Sequence, residues 1–324
     1  MGTNHKPRAG SLAYKPRKRS DDLSPRISSW RHTDKLGFLG FPVYKVGMTS
    51  IGVIDDTASP SKGMDVTIAA TILEAPKVTL IGARLYKITP YGVKCLGDVI
   101  SSQPQIASKL GMKKDTKHKD FEWMSKLSME GCYVAALCFT DPKSAGTPRK
   151  YGEVVEIALG GKSCAEQIEF LKPLLGKEVA VKDVLEEGEY VDTISVSRGH
   201  GWQGAIKRFN IHKQRRKATG RVRHVGTLGP WHPSYVMYTA PQAGQMGFHR
   251  RTQYNNRVLI IGNDPSKINR SSGFPQYGNV KTDYVLVRGS VPGTQKRFVF
   301  LRKGVRSPTP TAVRKPQITY VAVR

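Results

Sequence analysis

From Thr193 to Asn263 the chain contains no Asp and no Glu, yet Arg and Lys recur there twelve times and five of the eight histidines fall inside. A water-facing segment with one sign of charge repels itself, so such a stretch is expected to be ordered by a polyanion rather than by an apolar core. Long apolar runs are missing too. Nothing approaches the roughly eighteen residues that a membrane helix needs, which argues against a spanning protein. The opening MGTNHKPRAGSLAYKPRKRSDD has no apolar centre for a secretory signal, and Lys6 stands where an N-myristoyl signal needs Ser or Thr. Only four cysteines occur, Cys95, Cys132, Cys138 and Cys164, without a CxxC pair. They point to a reducing, cytosolic setting with neither a disulfide framework nor a zinc site.

Catalytic signatures are equally scarce. GGKS at Gly160–Ser163 resembles the end of a phosphate-binding loop, but Glu156 occupies the position of that motif's first glycine, so a turn before a helix suffices. No G-x-S-x-G elbow and no HExxH is present. His200, His212, His224, His232 and His249 have no carboxylate in their stretch to orient them, which disfavours metal binding or acid–base work in favour of hydrogen bonding or stacking. No cofactor and no resident metal is expected.

What the chain does have is charge. Fifty-two Lys and Arg face 25 Asp and Glu, for a net +27 in 324 residues, a balance that attracts phosphate backbones and contributes nothing to a fold. Residues 1–35 read as an extended basic N-terminal arm. Residues 36–88 change to short Val, Ile, Thr and Tyr runs (FLGFPVYKVGMTSIGVID, MDVTIAATILEA, VTLIGARLYKI) broken by Gly and Pro, the pattern of a barrel or sandwich, with a turn at Pro60–Gly63. Residues 89–189 are near neutral and read as an α/β insertion that faces solvent or protein. Within it lie QIASKLGMKK and a helix opened by Ser163 with Glu166 three residues on, which presents Ile168, Leu171, Leu174 and Leu175 until Gly176. Strands return at 190–198 and, beyond the acid-free stretch, over 257–306. Residues 199–256 are thus a basic central extension bracketed by strands, and 307–324 form a Pro-rich tail.

Within the extension, Lys213, Arg215, Arg216, Lys217, Arg221 and Arg223 cluster as phosphate ligands, and Arg250, Arg251 and Arg257 form a second group. Trp202, Phe209, Trp231, Tyr235, Tyr238, Phe248 and Tyr254 are interleaved with them, and glycines permit close backbone approach. Any single aromatic is more often packed than stacked on a base, but the mixture suits the splayed surface of structured RNA better than a DNA coat.

These residues carry a resemblance. SRGHGWQGAIKR (Ser197–Arg208), GPWHPSYVM (Gly229–Met237), AGQMGFHRRT (Ala243–Thr252) and YVLVRGSVPG with KRFVFLRK resemble the universal large-subunit ribosomal protein L-three family. The basic arm ending in GFLGFPVYKVGMT and the insertion look like its archaeal and eukaryotic branch. The resemblance implies a mainly β fold with an α insertion: a translation-protein-type β-barrel with a long basic loop that penetrates ribosomal RNA (rRNA) toward the peptidyl-transferase centre. It implies that Trp231, beside His232 and Pro233, comes closest to that centre. It also implies early binding near the end of the large-subunit RNA, by the sarcin-ricin region, and neighbours of the L-fourteen and L-twenty-four-e families. Thr219 stands where some eukaryotic relatives modify a histidine, so that feature is not carried over. Gln242 and Gln245 are both positions at which the modified glutamine of bacterial relatives would fall.

The combined reading is a structural, non-catalytic constituent of the large subunit, cytoplasmic in the ribosome, with no membrane partner and no homo-oligomer. Its expected rRNA-binding residues are Arg198, His200, Trp202, Lys207, Arg208, Lys213, Arg215, Arg216, Lys217, Arg221, Arg223, Trp231, His232, His249, Arg250, Arg251 and Arg257. The rivals are an RNA-modifying or RNA-processing enzyme, disfavoured by the missing acids, and a nucleic-acid coating protein, disfavoured by the substantial β content.

Overall fold

A computed structural model describes residues 13–103, 120–127, 131–218, 222–306 and 315–322. It separates into two units along the chain, one comprising Met1–Asp21 with Ser197–Arg250 and the other Asp22–Val196 with Arg251–Arg324. QIASKLGMKK and most of the C-terminal tail lie outside the described residues.

The second unit is mainly β. Its longest strand, β1 (Gly40–Ile54), pairs along one edge with β2 (Asp65–Glu74), from Tyr44 opposite Glu74 to Ile54 opposite Asp65. The Pro60–Gly63 turn joins these two strands as expected. Its local device is Asp55, whose carboxylate accepts from the Thr57 amide and from the hydroxyls of Thr57, Ser59 and Ser61. These four donors favour the charged form and hold Asp55 well below the usual carboxylate range.

Along its other edge β1 changes partner halfway. Gly40–Tyr44 pairs with β13 (Phe298–Lys303), and Ile51–Val53 with β14 (Ile318–Val321). A side chain at Gly40 would run into the Phe300 ring and the Leu301 carbonyl, so only glycine permits this approach. From β13 the pairing continues through β8 (Tyr190–Val196), β11 (Arg250–Gly262) and β12 (Tyr284–Arg288) back to β2. Because β13 also pairs with β1, six strands close a circuit, which is the pairing pattern of a barrel.

A second sheet runs in the order β4 (Gly92–Ile100), β3 (Val78–Thr89), β5 (Cys132–Thr140), β6 (Val154–Ala158), with β7 (Glu178–Val179) also on β3. It takes in β3 from Val78 on, which pairs with β5 over Val78–Lys87 and with β4 over Gly82–Thr89. Two short helices accompany it, α1 (Phe121–Leu127) and α2 (Cys164–Leu171). Ser163 caps α2, accepting from the Glu166 amide at 3.3 Å, while the Glu166 carboxylate accepts from Lys162, one residue before the cap. The helix ends at Leu171 rather than running to Gly176, because Pro173 cannot continue its hydrogen bonds and a single 3-10 turn, Lys172–Leu174, takes over.

One apolar cluster spans both sheets, from Phe41, Tyr44, Phe298 and Phe300 to Leu80, Leu85, Val134 and Leu171, and a smaller one gathers Val46, Ile51, Ile72, Leu259, Phe274 and Leu286. Two buried carboxylates tie the strands. Glu74, fully buried, accepts from the amides of Gly146, Lys281 and Thr282 and from the hydroxyls of Thr282 and Tyr277. Asp192, on β8 and also fully buried, takes Arg302 of β13 at 2.6 Å, the Asn255 amide of β11 at 3.1 Å and the Val305 amide at 3.2 Å. All four cysteines are free, and burial pushes the Cys138 thiol up to about 12.

Candidate nucleic-acid interface

The first unit holds six Lys or Arg in residues 1–21 and ten in residues 197–250, against a single acid, Asp21. Asp21 lies 3.6 Å from Lys18, with both side chains exposed. The frame that carries these charges is small. Strand β9 (Gly199–Gln203) pairs with β10 (Gly244–Gly247), setting Gly199 opposite Gly247 and Trp202 opposite Gln245. At Gly247 φ is +73°, and a Cβ there would strike the Arg198 carbonyl, so both conformation and space require glycine. A five-residue helix, α3 (Ala205–Phe209), follows β9. Its Arg208 donates from Nε to the Gln245 carbonyl (3.1 Å) and from Nη1 to the Gln242 carbonyl (3.0 Å), anchoring the returning strand.

The basic arm joins this frame. The Ser20 amide donates to the Phe248 carbonyl at 2.8 Å, the Lys15 ammonium lies over the Tyr238 ring at 5.4 Å, and the Arg17 guanidinium lies over Phe209 at 4.1 Å. His249 connects arm and loop. Its Nε2 accepts from the Gly247 amide (3.0 Å), which leaves the proton of the neutral ring on Nδ1, facing the Lys18 carbonyl at 2.8 Å.

Between α3 and β10 the chain is irregular. Local bonds shape it, such as the Gln214 amide to the Val222 carbonyl (2.9 Å) and the Gly226 amide to His224 Nδ1 (3.1 Å). Among the described residues of 197–250 only Ala205, Gly244 and His249 are buried. The aromatics therefore face outward: Trp231 is 87% exposed, Trp202 78%, and Tyr235 and Tyr238 about as open. Trp231, Pro230, Pro233 and Tyr235 line a shallow, mainly apolar hollow of about 420 Å³ with Leu228 and Val236. Exposed rings without an apolar core beneath them are unusual in a protein that works alone and mark a contact surface.

The expected site residues divide accordingly. Arg198, His200, Trp202, Lys207, Lys213, Arg215, Arg216, Lys217, Arg223, Trp231, His232 and Arg250 are exposed in this unit, while Arg208 is half-buried and partly engaged. Arg221, like Thr219, lies outside the described residues. Two of the expected residues are placed differently from the rest. His249 is buried and turned inward to bind backbone, as just described. Arg257 belongs to the other unit, where it is 6% exposed and bonds both oxygens of Asp56 at 2.6 Å. That fork is a strong charge-assisted arrangement, and it holds the Asp56 carboxyl below its usual range. Arg251 is half-buried on β11. Missing from the expected set were Lys15 and Arg17, whose only sequence signal was the charge of the arm. Of the two glutamines, Gln242 is exposed, whereas the Gln245 amide is spent on the Gly247 carbonyl at 2.9 Å.

Among the described residues no group of three or more His, Cys, Asp or Glu is arranged to hold a metal ion, and no helix is long and apolar enough to cross a membrane. Chemically the unit offers forked and point cations, rings and close-approach glycines, and no general base placed by a carboxylate.

Comparison with known proteins agrees with this chemistry. The family model described as "Ribosomal protein L3" matches residues 1–321. The chain is 42% identical to a protein named large ribosomal subunit protein uL3 from Methanosphaera stadtmanae, over 99% of this chain and 98% of that one. It is 42% identical to the protein of the same name from Methanococcus maripaludis (98% and 96% covered) and 41% to that from Methanothermobacter thermautotrophicus (99% and 98%). These relatives bear the name of a ribosomal subunit protein and not of an enzyme. With a family model over nearly its whole length and relatives above 40% identity, the chain belongs to the ribosomal protein L3 family.

Proposed function

We propose that this protein is a non-catalytic constituent of the large ribosomal subunit, in the cytoplasm, and that the unit formed by its arm and residues 197–250 binds large-subunit rRNA. One observation carries the reading: sixteen Lys or Arg stand against one Asp in a unit where Trp202, Trp231, Tyr235 and Tyr238 are exposed. Cations release counterions from packed phosphates, and outward rings and glycines fill the narrow spaces between RNA helices. Arg198, His200, Trp202, Lys207, Lys213, Arg215, Arg216, Lys217, Arg221, Arg223, His232 and Arg250 are the residues to which we assign RNA contact. Arg208 serves both RNA and the frame. His249, Arg251 and Arg257 are assigned to holding the fold. Binding supports early subunit assembly.

Neighbouring large-subunit proteins complete the partners, with the L-fourteen and L-twenty-four-e families as the proposed ones. The exposed Trp231 loop is proposed to reach toward the peptidyl-transferase centre. Sedimentation of a cell extract tests the reading: stoichiometric presence in the large subunit supports it, and absence from that fraction defeats it.

Trp231→Ala is expected to leave the melting temperature of the isolated protein within about 2–4 °C, the shift of a change near 1 kcal/mol in a domain of 150–250 residues. Translation rate or sensitivity to drugs that act at the centre is expected to change in cells carrying the variant. Lost stability with unchanged translation would instead make Trp231 a packing residue.

A further inference from the structure

Two guanidinium groups converge on one ring in the basic unit. Arg17 of the arm lies over Phe209 at 4.1 Å, and Arg208 of α3 over the same ring at 5.2 Å. Two like charges gathered on one ring repel. The Arg208 guanidinium is held below its ordinary pKa, first by burial and then by the charge of Arg17. The unit's only acid does not balance them, since Asp21 lies by Lys18. The donors are also incompletely used. Arg208 commits Nε and Nη1 to the Gln245 and Gln242 carbonyls. Arg17 Nη1 is buried and meets no hydrogen-bond partner among the described residues.

A ring face attracts each cation but supplies no acceptor for an N–H and no compensating charge. Water would serve the N–H and leave the repulsion in place. A tetrahedral oxyanion does both, because its oxygens accept several hydrogen bonds at once and its charge offsets two cations; the planar fork of arginine suits it better than a lysine ammonium does.

We propose that Arg17 and Arg208 form a two-guanidinium clamp for a single phosphodiester group of structured RNA. The arm is thereby locked to the central extension through the ligand as well as through Ser20 and His249, so that RNA binding tightens an arm already docked on the frame. The clamp rests on the rRNA-binding reading above and adds to it a shared phosphate and an arm residue.

The test is filter binding of the full-length chain to a transcript of large-subunit rRNA across a potassium chloride series, for the wild type, Arg17→Gln, Arg208→Gln and the double variant. Each phosphate contact contributes roughly 0.9 to the slope of log affinity on log salt, or about 0.7 on single-stranded RNA. Arg17→Gln is expected to flatten the slope by about that amount, because the phosphate is held only when both guanidinium groups are present, and for the same reason the double variant by no more than either single. Arg208→Gln also releases two carbonyls, so the decision falls on Arg17→Gln, which breaks no hydrogen bond to the frame. An unchanged slope in Arg17→Gln overturns the clamp, as does a double variant that loses twice the increment, which would mean two independent phosphates. A flat slope in the wild type would instead sink the RNA-binding reading from which the clamp is built.

Discussion

Replacing residues 200–246 with a two-residue Asn-Gly turn is expected to yield a protein that still folds but has lost most of its affinity for large-subunit rRNA. The splice is feasible because Gly199 and Gly247 are register partners, so a short turn closes a hairpin there. Folding survives because none of the apolar clusters includes a residue from 197–250. Removal of Lys207, Arg208, Lys213, Arg215, Arg216, Lys217, Arg221 and Arg223 flattens the salt slope by roughly 0.9 for each phosphate no longer neutralised on duplex RNA-like sites, up to about seven in all. Melting followed by circular dichroism reads the first half of the expectation and filter binding the second. A variant that fails to fold would show that the extension belongs to the core. One that folds and binds with an undiminished slope would place the RNA surface elsewhere.

Asp192→Ala is expected to have the opposite profile, destabilising the β unit by about 3–5 kcal/mol, the usual result of removing one partner from a buried ion pair. Arg302 is only 3% exposed; without Asp192 its charge keeps the Ser29 carbonyl and hydroxyl but no carboxylate. The Asn255 and Val305 amides lose their acceptor as well. Asp192 thus joins β8, which leads into the acid-free stretch, to β11, which leads out of it, and through Arg302 to β13. Urea denaturation checks the value: the midpoint should fall with an unchanged slope. A loss under about 1 kcal/mol, the range of an exposed pair, would show that this interior tolerates the change and that the brackets are held by packing alone.

Comparison of the two variants shows why some features were legible in the sequence and others were not. Strands such as YVDTISVS and KRFVFLRK announce themselves through β-branched and aromatic content, so β8 and β13 were readable, as was the Pro60–Gly63 turn. The closure of the circuit was not, because it depends on β1 exchanging β13 for β14 along a single edge, a long-range choice that Gly40 permits but does not advertise. Which sheet VTLIGARLYKI joins was not legible for a related reason: it reads as a strand in either. At the interface, composition picked out the acid-free stretch and could not separate cations that face outward from those that face a carboxylate far away in sequence. Arg257 finds Asp56 some two hundred positions back, and nothing local to Arg257 signals that pairing. His249 is similar, since its partner is a backbone carbonyl of the arm.

Residues 197–250, with the arm, thus form a unit with a frame of its own, and we assign its charge to RNA. Ultraviolet cross-linking of intact large subunits, with the linked peptides of this protein identified by mass spectrometry, tests that most directly. The RNA-linked positions are expected to concentrate in the arm and between Arg198 and Arg250, with Trp202, Trp231 and Tyr235 among them. Cross-links confined to the β4–β3–β5–β6 sheet, with none in 198–250, would contradict that assignment.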